Sequence, residues 1–347
     1  MRRTRAVREQ FSLIAIFLLL AGLAAAQSAP QQQSATPSPT PQQQSTPQSA
    51  APQQSGPPQG RNDQQPPTYR VTTRLVNVFT TVTDSHGAPV GGLTKDDFRI
   101  LEDGIPQTIS VFDRESAVPL SIALEVDTSP STQREFKLEV VSARKFVRSL
   151  ALRPVDRMSL FQVTEYIDQL TRYTSNVSTI DRGIDALRVG VGTSIYDAIA
   201  LGSESLIDRE GRKVLVLITD GGDTTSKATY QDALRRAQQS EAIVYSIIIV
   251  PVEADAGRNL GGEHALIQIS KDTGGKYYYA SGGEQLDEAF RQISDELRTQ
   301  YLLAYYPTRQ RADSSFRRIQ VEVVKKDGDG KSYQARHRAG YFTAPAK

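Results

Sequence analysis

The chain has 347 residues, a formal net charge of +2, 18 prolines, 3 histidines and neither cysteine nor tryptophan; that length suggests two or three domains. The missing cysteines exclude a disulfide framework, a cysteine nucleophile and thiolate-held metal, and His86, His264 and His337 lie too far apart to form an HxxxH or HxH pair. Residues 1–26 carry +3 and leave −1 for the rest, so composition gives no support to polyanion binding, and no nucleic-acid partner is expected.

In chain order, four arginines (Arg2, Arg3, Arg5 and Arg8) precede an apolar run from Phe11 to Ala26 that ends in three alanines. A basic n-region, a short apolar h-region and small residues predict a secretory signal peptide, residues 1–26, cut after Ala26. The run has 16 residues, short of the ~20 that span a bilayer, so membrane attachment is expected only if the leader stays uncleaved. The chain is expected to be exported, to a periplasm, a cell surface or the medium. Residues 27–68 hold ten prolines and 13 glutamines and no large apolar side chain. Such a segment cannot offset its ordering entropy by burial and predicts a disordered, partly polyproline-II spacer.

Residues 69–118 read as a β segment. Val76, Val78, Thr80 and Val82 alternate along one face, Asp84 to Gly87 form a turn that includes His86, Thr94 is placed to cap one short helical turn, and Asp103-Gly104 predicts a hairpin. Residues 119–300 change character. Apolar runs at Leu120–Val126, Met158–Val163, Val214–Thr219, Ile243–Val250 and Gly275–Tyr279 alternate with helix-period segments. Phe136, Val140, Ala143, Val147 and Leu150 step as an amphipathic helix, as do Leu286, Phe290, Ile293 and Leu297. This alternation predicts an α/β fold with a doubly wound, mostly parallel sheet. Tyr278 is expected to point opposite to Tyr277 and Tyr279 and to pack in the core. Glu125, inside an apolar strand, is expected to pair with an arginine or lysine. Residues 301–347 return to β, with a turn at Asp327 to Gly330. The two flanking β segments predict one small accessory β domain completed from both ends of the chain.

Ligands of open α/β sheets bind beyond the carboxyl ends of strands. Three polar clusters fall there: Asp127-Thr128-Ser129-Pro130-Ser131, the glycine-rich loop Gly190 to Ser194, and Asp220-Gly221-Gly222-Asp223. They supply carboxylates and hydroxyls without imidazole or thiolate, a donor set for a hard divalent cation such as Mg²⁺, Mn²⁺ or Ca²⁺. A helix cap at Ser131 or Thr132 accounts for one of these residues but not for Asp127 or Asp220, and Thr193 is also a possible N-cap.

Asp127-x-Ser129-x-Ser131, Gly192-Thr193 before Ile195-Tyr196-Asp197, and Ile218-Thr219-Asp220-Gly221 together resemble the von Willebrand factor A domain, across residues 119–300. The flanks, Gly92–Gly104 and Gln300–Pro307, resemble an exported subgroup described from acidobacteria. The resemblance implies a Rossmann-like sheet with a metal-ion-dependent adhesion site. By that resemblance Ser129 and Ser131 bind the cation through hydroxyls, Thr193 binds it directly or through water, and Asp127 and Asp220 hold it mainly through water. One coordination position stays open for an Asp or Glu of a protein partner. Pro130 stands where many members have glycine, and predicts a stiffer loop. The implied function is an exported adhesion or binding module, with a periplasmic assembly scaffold and, more distantly, a metal hydrolase as the alternatives. The matched motifs hold no His, Lys or Cys to serve as general base, leaving only Glu125 or Asp223 for that task, so no enzyme activity is expected.

Overall fold

The computed structural model describes residues 74–114, 118–132, 136–250, 259–309, 315–326, 328 and 330–343, without the side chain of Ser131. The leader, the proline- and glutamine-rich segment, and Asp327 and Asp329 of the last turn lie outside the described residues.

The N-terminal β segment contains β1 (Val76–Thr83), β2 (Phe98–Glu102), β3 (Ile105–Gln107) and β4 (Ile109–Arg114). The central part follows as β5 (Leu120–Asp127), α1 (Phe136–Ser149), β6 (Arg157–Val163), β7 (Ile167–Gln169), α2 (Val177–Asp185), α3 (Ile195–Ser205), β8 (Arg212–Thr219), α4 (Tyr230–Ser240), β9 (Ile243–Ile249), α5 (Leu260–Thr273), β10 (Tyr277–Ala280) and α6 (Gly283–Thr299). The C-terminal segment supplies β11 (Tyr301–Tyr305), β12 (Phe316–Val323), β13 (Gln334–Arg336) and β14 (Gly340–Phe342).

Six central strands form one sheet in the order β10-β9-β8-β5-β6-β7. All neighbours are parallel except β7, which runs antiparallel at the edge. Both faces are covered, which is why β5, β8 and β9 are buried at every position and read as continuous apolar runs. Ile122, Leu124 and Val126 of β5 pack with α1, α2 and α6, where Phe146 and Phe290 stack at 4.4 Å. Ala123 of the same strand points to the other face, among residues of α3, α4 and α5. Tyr278 is in the first of these cores, while Tyr279 is exposed.

The two ends of the chain build a pair of four-stranded antiparallel sheets, β13-β1-β11-β4 and β14-β12-β2-β3. Strand β11 lies between β1 and β4, and β12 pairs with β2, so each sheet mixes early and late residues. Val76, Val78, Val82, Phe98, Ile100, Tyr301, Leu303, Ile319 and Val321 form the core between them, the arrangement of a small sandwich. Within it the Glu102 carboxylate accepts hydrogen bonds from Tyr305 Oη (2.7 Å), Tyr341 Oη (2.9 Å) and Arg317 Nη1 (2.7 Å). Thr94 is the N-cap of the short turn that precedes β2, and the Asp97 carboxylate accepts from its N–H (2.7 Å) and Oγ1 (2.9 Å).

Helix α6 passes into β11 through Gln300 alone. Gln300 Oε1 accepts from Arg212 Nη1 (3.1 Å), and its Nε2 donates to Thr81 Oγ1 and Tyr245 Oη (3.2 Å each). The sandwich is thereby joined to the base of the parallel sheet, at the amino ends of its strands.

The expected pairing of Glu125 does not occur. Its side chain is fully buried on the α3 face, and neither carboxylate oxygen has a partner among the described residues. It lies against Gly202, where an added Cβ would stand 1.9 Å from Oε1. Burial pushes the group up to about 8, so it is housed as the neutral acid, which needs no cation beside it.

Candidate metal centre

The chain leaves β5 for β6 on one side and later returns to β8 on the other. The carboxyl edge between β5 and β8 is therefore the point where the winding reverses, and the crevice of a doubly wound sheet opens there. Asp127 ends β5, and Asp220 directly follows β8.

Asp127 is fully buried. Its Oδ2 accepts from Thr219 Oγ1 (2.6 Å) and its Oδ1 from Ser129 N–H (2.9 Å). Burial pushes its carboxyl up to about 6, with the neighbouring Asp220 charge acting in the same direction and the Thr219 and Ser129 hydrogen bonds opposing it. Thr219 Oγ1 in turn accepts from Gly221 N–H (3.1 Å), and Asp220 Oδ1 accepts from Gly222 N–H (2.9 Å). The turn needs glycine at position 221, where φ is +86°. Thr132 Oγ1 donates back to the carbonyls of Asp127 and Ser129 (3.1 Å each), which braces the loop that leaves β5.

The third loop reaches the same edge. Gly190 N–H donates to the Thr128 carbonyl (2.9 Å). Thr193 is buried and exchanges bonds with the segment after Asp220: its N–H donates to Thr224 Oγ1 (2.9 Å), and its carbonyl accepts from Thr224 N–H (2.8 Å) and Thr225 N–H (3.0 Å). Ser194, not Thr193, is the N-cap of α3. The free amide of Ile195 is met from across the site by Asp223 Oδ1 (2.8 Å), which also accepts from Ser226 Oγ (2.5 Å). Asp197 answers in the opposite direction, accepting from the N–H groups of Lys227 (3.0 Å) and Ala228 (2.7 Å). These reciprocal staples fix residues 193–197 against 223–228.

Of the five residues expected from the sequence, Asp127, Ser129, Thr193 and Asp220 stand on loops tied to one another at this edge, and the side chain of Ser131 lies outside the described residues. Sequence reasoning gave Thr219 and Asp197 no role and considered Asp223 only as a possible general base, not as a brace between loops. Thr219 could have been suspected as the hydroxyl that ends β8; the other two act across about 30 residues and leave no local signal. The donors are all oxygen, two carboxylates with hydroxyls around them, which fits a hard divalent cation. Among the described residues no group of three or more His, Asp or Glu converges, so such an ion would depend on the hydroxyls. Also among the described residues, no helix is long and apolar enough to cross a membrane.

An open, mostly parallel sheet with helices on both faces and polar loops at its switch point defines a doubly wound α/β domain. The family model of the von Willebrand factor type A domain matches residues 121–320, and the chain belongs to that family. The match continues past α6 through β11 and into β12, strands of the sandwich. No curated protein matches the chain. Among solved structures it is similar to a von Willebrand factor type A protein from Catenulispora acidiphila (12% identity, 72% of this chain and 74% of that one, TM-score 0.45). It is also similar to the vWF domain of the type V pili tip protein Mfa5 from Porphyromonas gingivalis (14%, 52% and 95%, TM-score 0.44) and to the conserved hypothetical protein BatB from Bacteroides thetaiotaomicron (17%, 51% and 97%, TM-score 0.42).

Proposed function

We propose that the chain is an exported binding module that engages a protein partner through a divalent cation, Mg²⁺ or else Mn²⁺ or Ca²⁺. Asp127, Ser129, Ser131, Thr193 and Asp220 would hold the ion, and the partner would present an Asp or Glu carboxylate to it. The ion's contribution is a positive charge with an open coordination position, which binds a carboxylate that Asp127 and Asp220 alone would repel. The observation that carries the reading is the convergence of the Asp127, Asp220 and Thr193 loops at the switch point, each braced by hydrogen bonds that leave the crevice lined with oxygen. Export is supported by the leader pattern of residues 1–26 and by flanks that resemble the acidobacterial subgroup.

The reading is of a binder and not a catalyst. The two acids that could have served as general base are otherwise engaged: Asp223 accepts from Ile195 and Ser226, and Glu125 is enclosed against α3.

The test is calorimetric titration of Mg²⁺ into metal-free protein, followed by capture of extracytoplasmic partners with Mg²⁺ or with EDTA. We expect Mg²⁺ binding in the parent protein, its loss in Asp127→Ala with the circular dichroism spectrum kept, and partner capture only with metal. Capture that survives EDTA overturns the metal bridge.

A further inference from the structure

Three large apolar side chains that the fold leaves exposed stand on the loops beside this centre: Tyr166 (71% exposed), Val189 (41%) and Val191 (82%). Single exposed apolar residues are ordinary; a group of them beside a polar crevice points to a contact surface. Hydrogen bonds make their loops one continuous rim. Thr164 N–H donates to the Tyr166 carbonyl (2.9 Å), Val191 N–H to the Glu165 carboxylate (3.0 Å), and Gly190 N–H to the Thr128 carbonyl (2.9 Å). The rim thus runs from the β6–β7 loop across the loop before α3 to the end of β5, one residue from Asp127. Among the described residues, no core cluster includes these three side chains. Glu165, partly exposed in the middle of the rim, adds a negative charge that disfavours a second acidic group there.

We infer that this rim selects the partner. It takes a large apolar side chain next to the carboxylate that reaches the centre, so the favoured ligand is a protein segment with one acidic residue flanked by an apolar one, rather than a run of acids. The inference rests on the reading of Asp127 and its neighbours as a cation site. Tyr166 and Val191 are the specificity residues; they would add affinity through buried apolar area while the carboxylate supplies the anchor.

The test compares two blocked tripeptides, leucine–aspartate–leucine and serine–aspartate–serine, titrated into the full mature chain with Mg²⁺ and with EDTA and followed by methyl chemical shifts. We expect the leucine peptide to bind on the order of tenfold more tightly. That gain should vanish in the Tyr166→Ser/Val191→Ser double variant and persist in Val111→Ser, a control on β4 that is 40% exposed. Equal affinities in the parent, or a gain that survives the double variant, overturn the inference. A gain that the double variant removes but EDTA leaves unchanged supports the rim and overturns the metal bridge. No binding of either peptide under either condition overturns both.

Discussion

Glu125 occupies a position where a charge has no means of support: the centre of a parallel strand, against a glycine of α3, with no donor in reach among the described residues. Burial holds its proton up to about 8, from an ordinary value of 4.5. Below pH 4.5 the folded and unfolded chains both carry that proton; between 4.5 and about 8 only the folded chain does. The folded state binds the extra proton, so stability falls as pH rises through this window and levels off above it. Glu125→Met keeps the length of the side chain and removes the titration. In EDTA, urea melts of this variant are expected to lose that part of the slope and to gain about 1–3 kcal/mol near pH 8. A variant whose stability tracks the parent at every pH would mean that Glu125 is solvated in solution. Asp127 also has a raised value, about 6, but it is present in both proteins, so the difference between them isolates Glu125.

Among the elements, α5 is the one whose placement most constrains the centre from behind. Its N-terminal turn lies backbone to backbone on the turn that carries Asp220: a Cβ at Gly262 would stand 1.8 Å from the Gly221 carbonyl oxygen, whereas one at Gly261 meets only Asn259 Oδ1 at 3.6 Å. The two adjacent glycines should therefore answer alanine with opposite signs. Gly261→Ala is expected to stabilise by up to about 1 kcal/mol through helix propensity. Gly262→Ala is expected to cost about 1–3 kcal/mol by forcing the helix off the turn, and to weaken Mg²⁺ binding as well. Thermal melts and the Mg²⁺ titration read both; equal effects of the two substitutions would refute the close approach. Nothing local in the sequence separates these glycines. The strands β5, β6, β8 and β9 were legible because burial on both faces makes them apolar at nearly every position, and α1 and α6 because one buried stripe repeats at helical spacing. The edge strand β7 carries neither signature, and α2 shows its buried stripe, Val177, Ile180 and Ile184, over only nine residues. Asn176 is the N-cap of α2, accepting from Thr179 N–H at 3.2 Å. At the centre, the residue types at strand ends were legible; the Asp223 and Asp197 staples were not, since each pairs with a loop far along the chain.

At the scale of the whole molecule, the sandwich closes the chain on itself, and one buried acid shows how tightly. Glu102 comes from the N-terminal segment, while its three partners, Tyr305, Arg317 and Tyr341, all come from the C-terminal one. Glu102 and Arg317 are 3% and 5% exposed, so neither charge has water to fall back on if the other is removed. Glu102→Ala would remove the carboxylate shared by two phenol hydroxyls and a buried guanidinium, leaving Arg317 without its counter-charge though still bonded to the Arg309 carbonyl, and is expected to cost about 3–5 kcal/mol. The double variant Glu102→Leu/Arg317→Met removes both charges, and the same principle predicts that it recovers most of that loss. The readout is urea denaturation followed by far-ultraviolet circular dichroism for the whole chain and by pulsed hydrogen exchange of the β1, β11 and β12 backbone amides for the sandwich. Tyr301 sits in the sandwich core, and Gln300 beside it is bonded to Arg212 and Tyr245 of the parallel sheet. Loosening of the sandwich is therefore expected to reach the α/β part, and both probes should shift to the same lower midpoint. If the transition of the sandwich amides moves alone, the sandwich unfolds as a separate unit, and the Gln300 junction does not couple it to the sheet that carries the candidate centre.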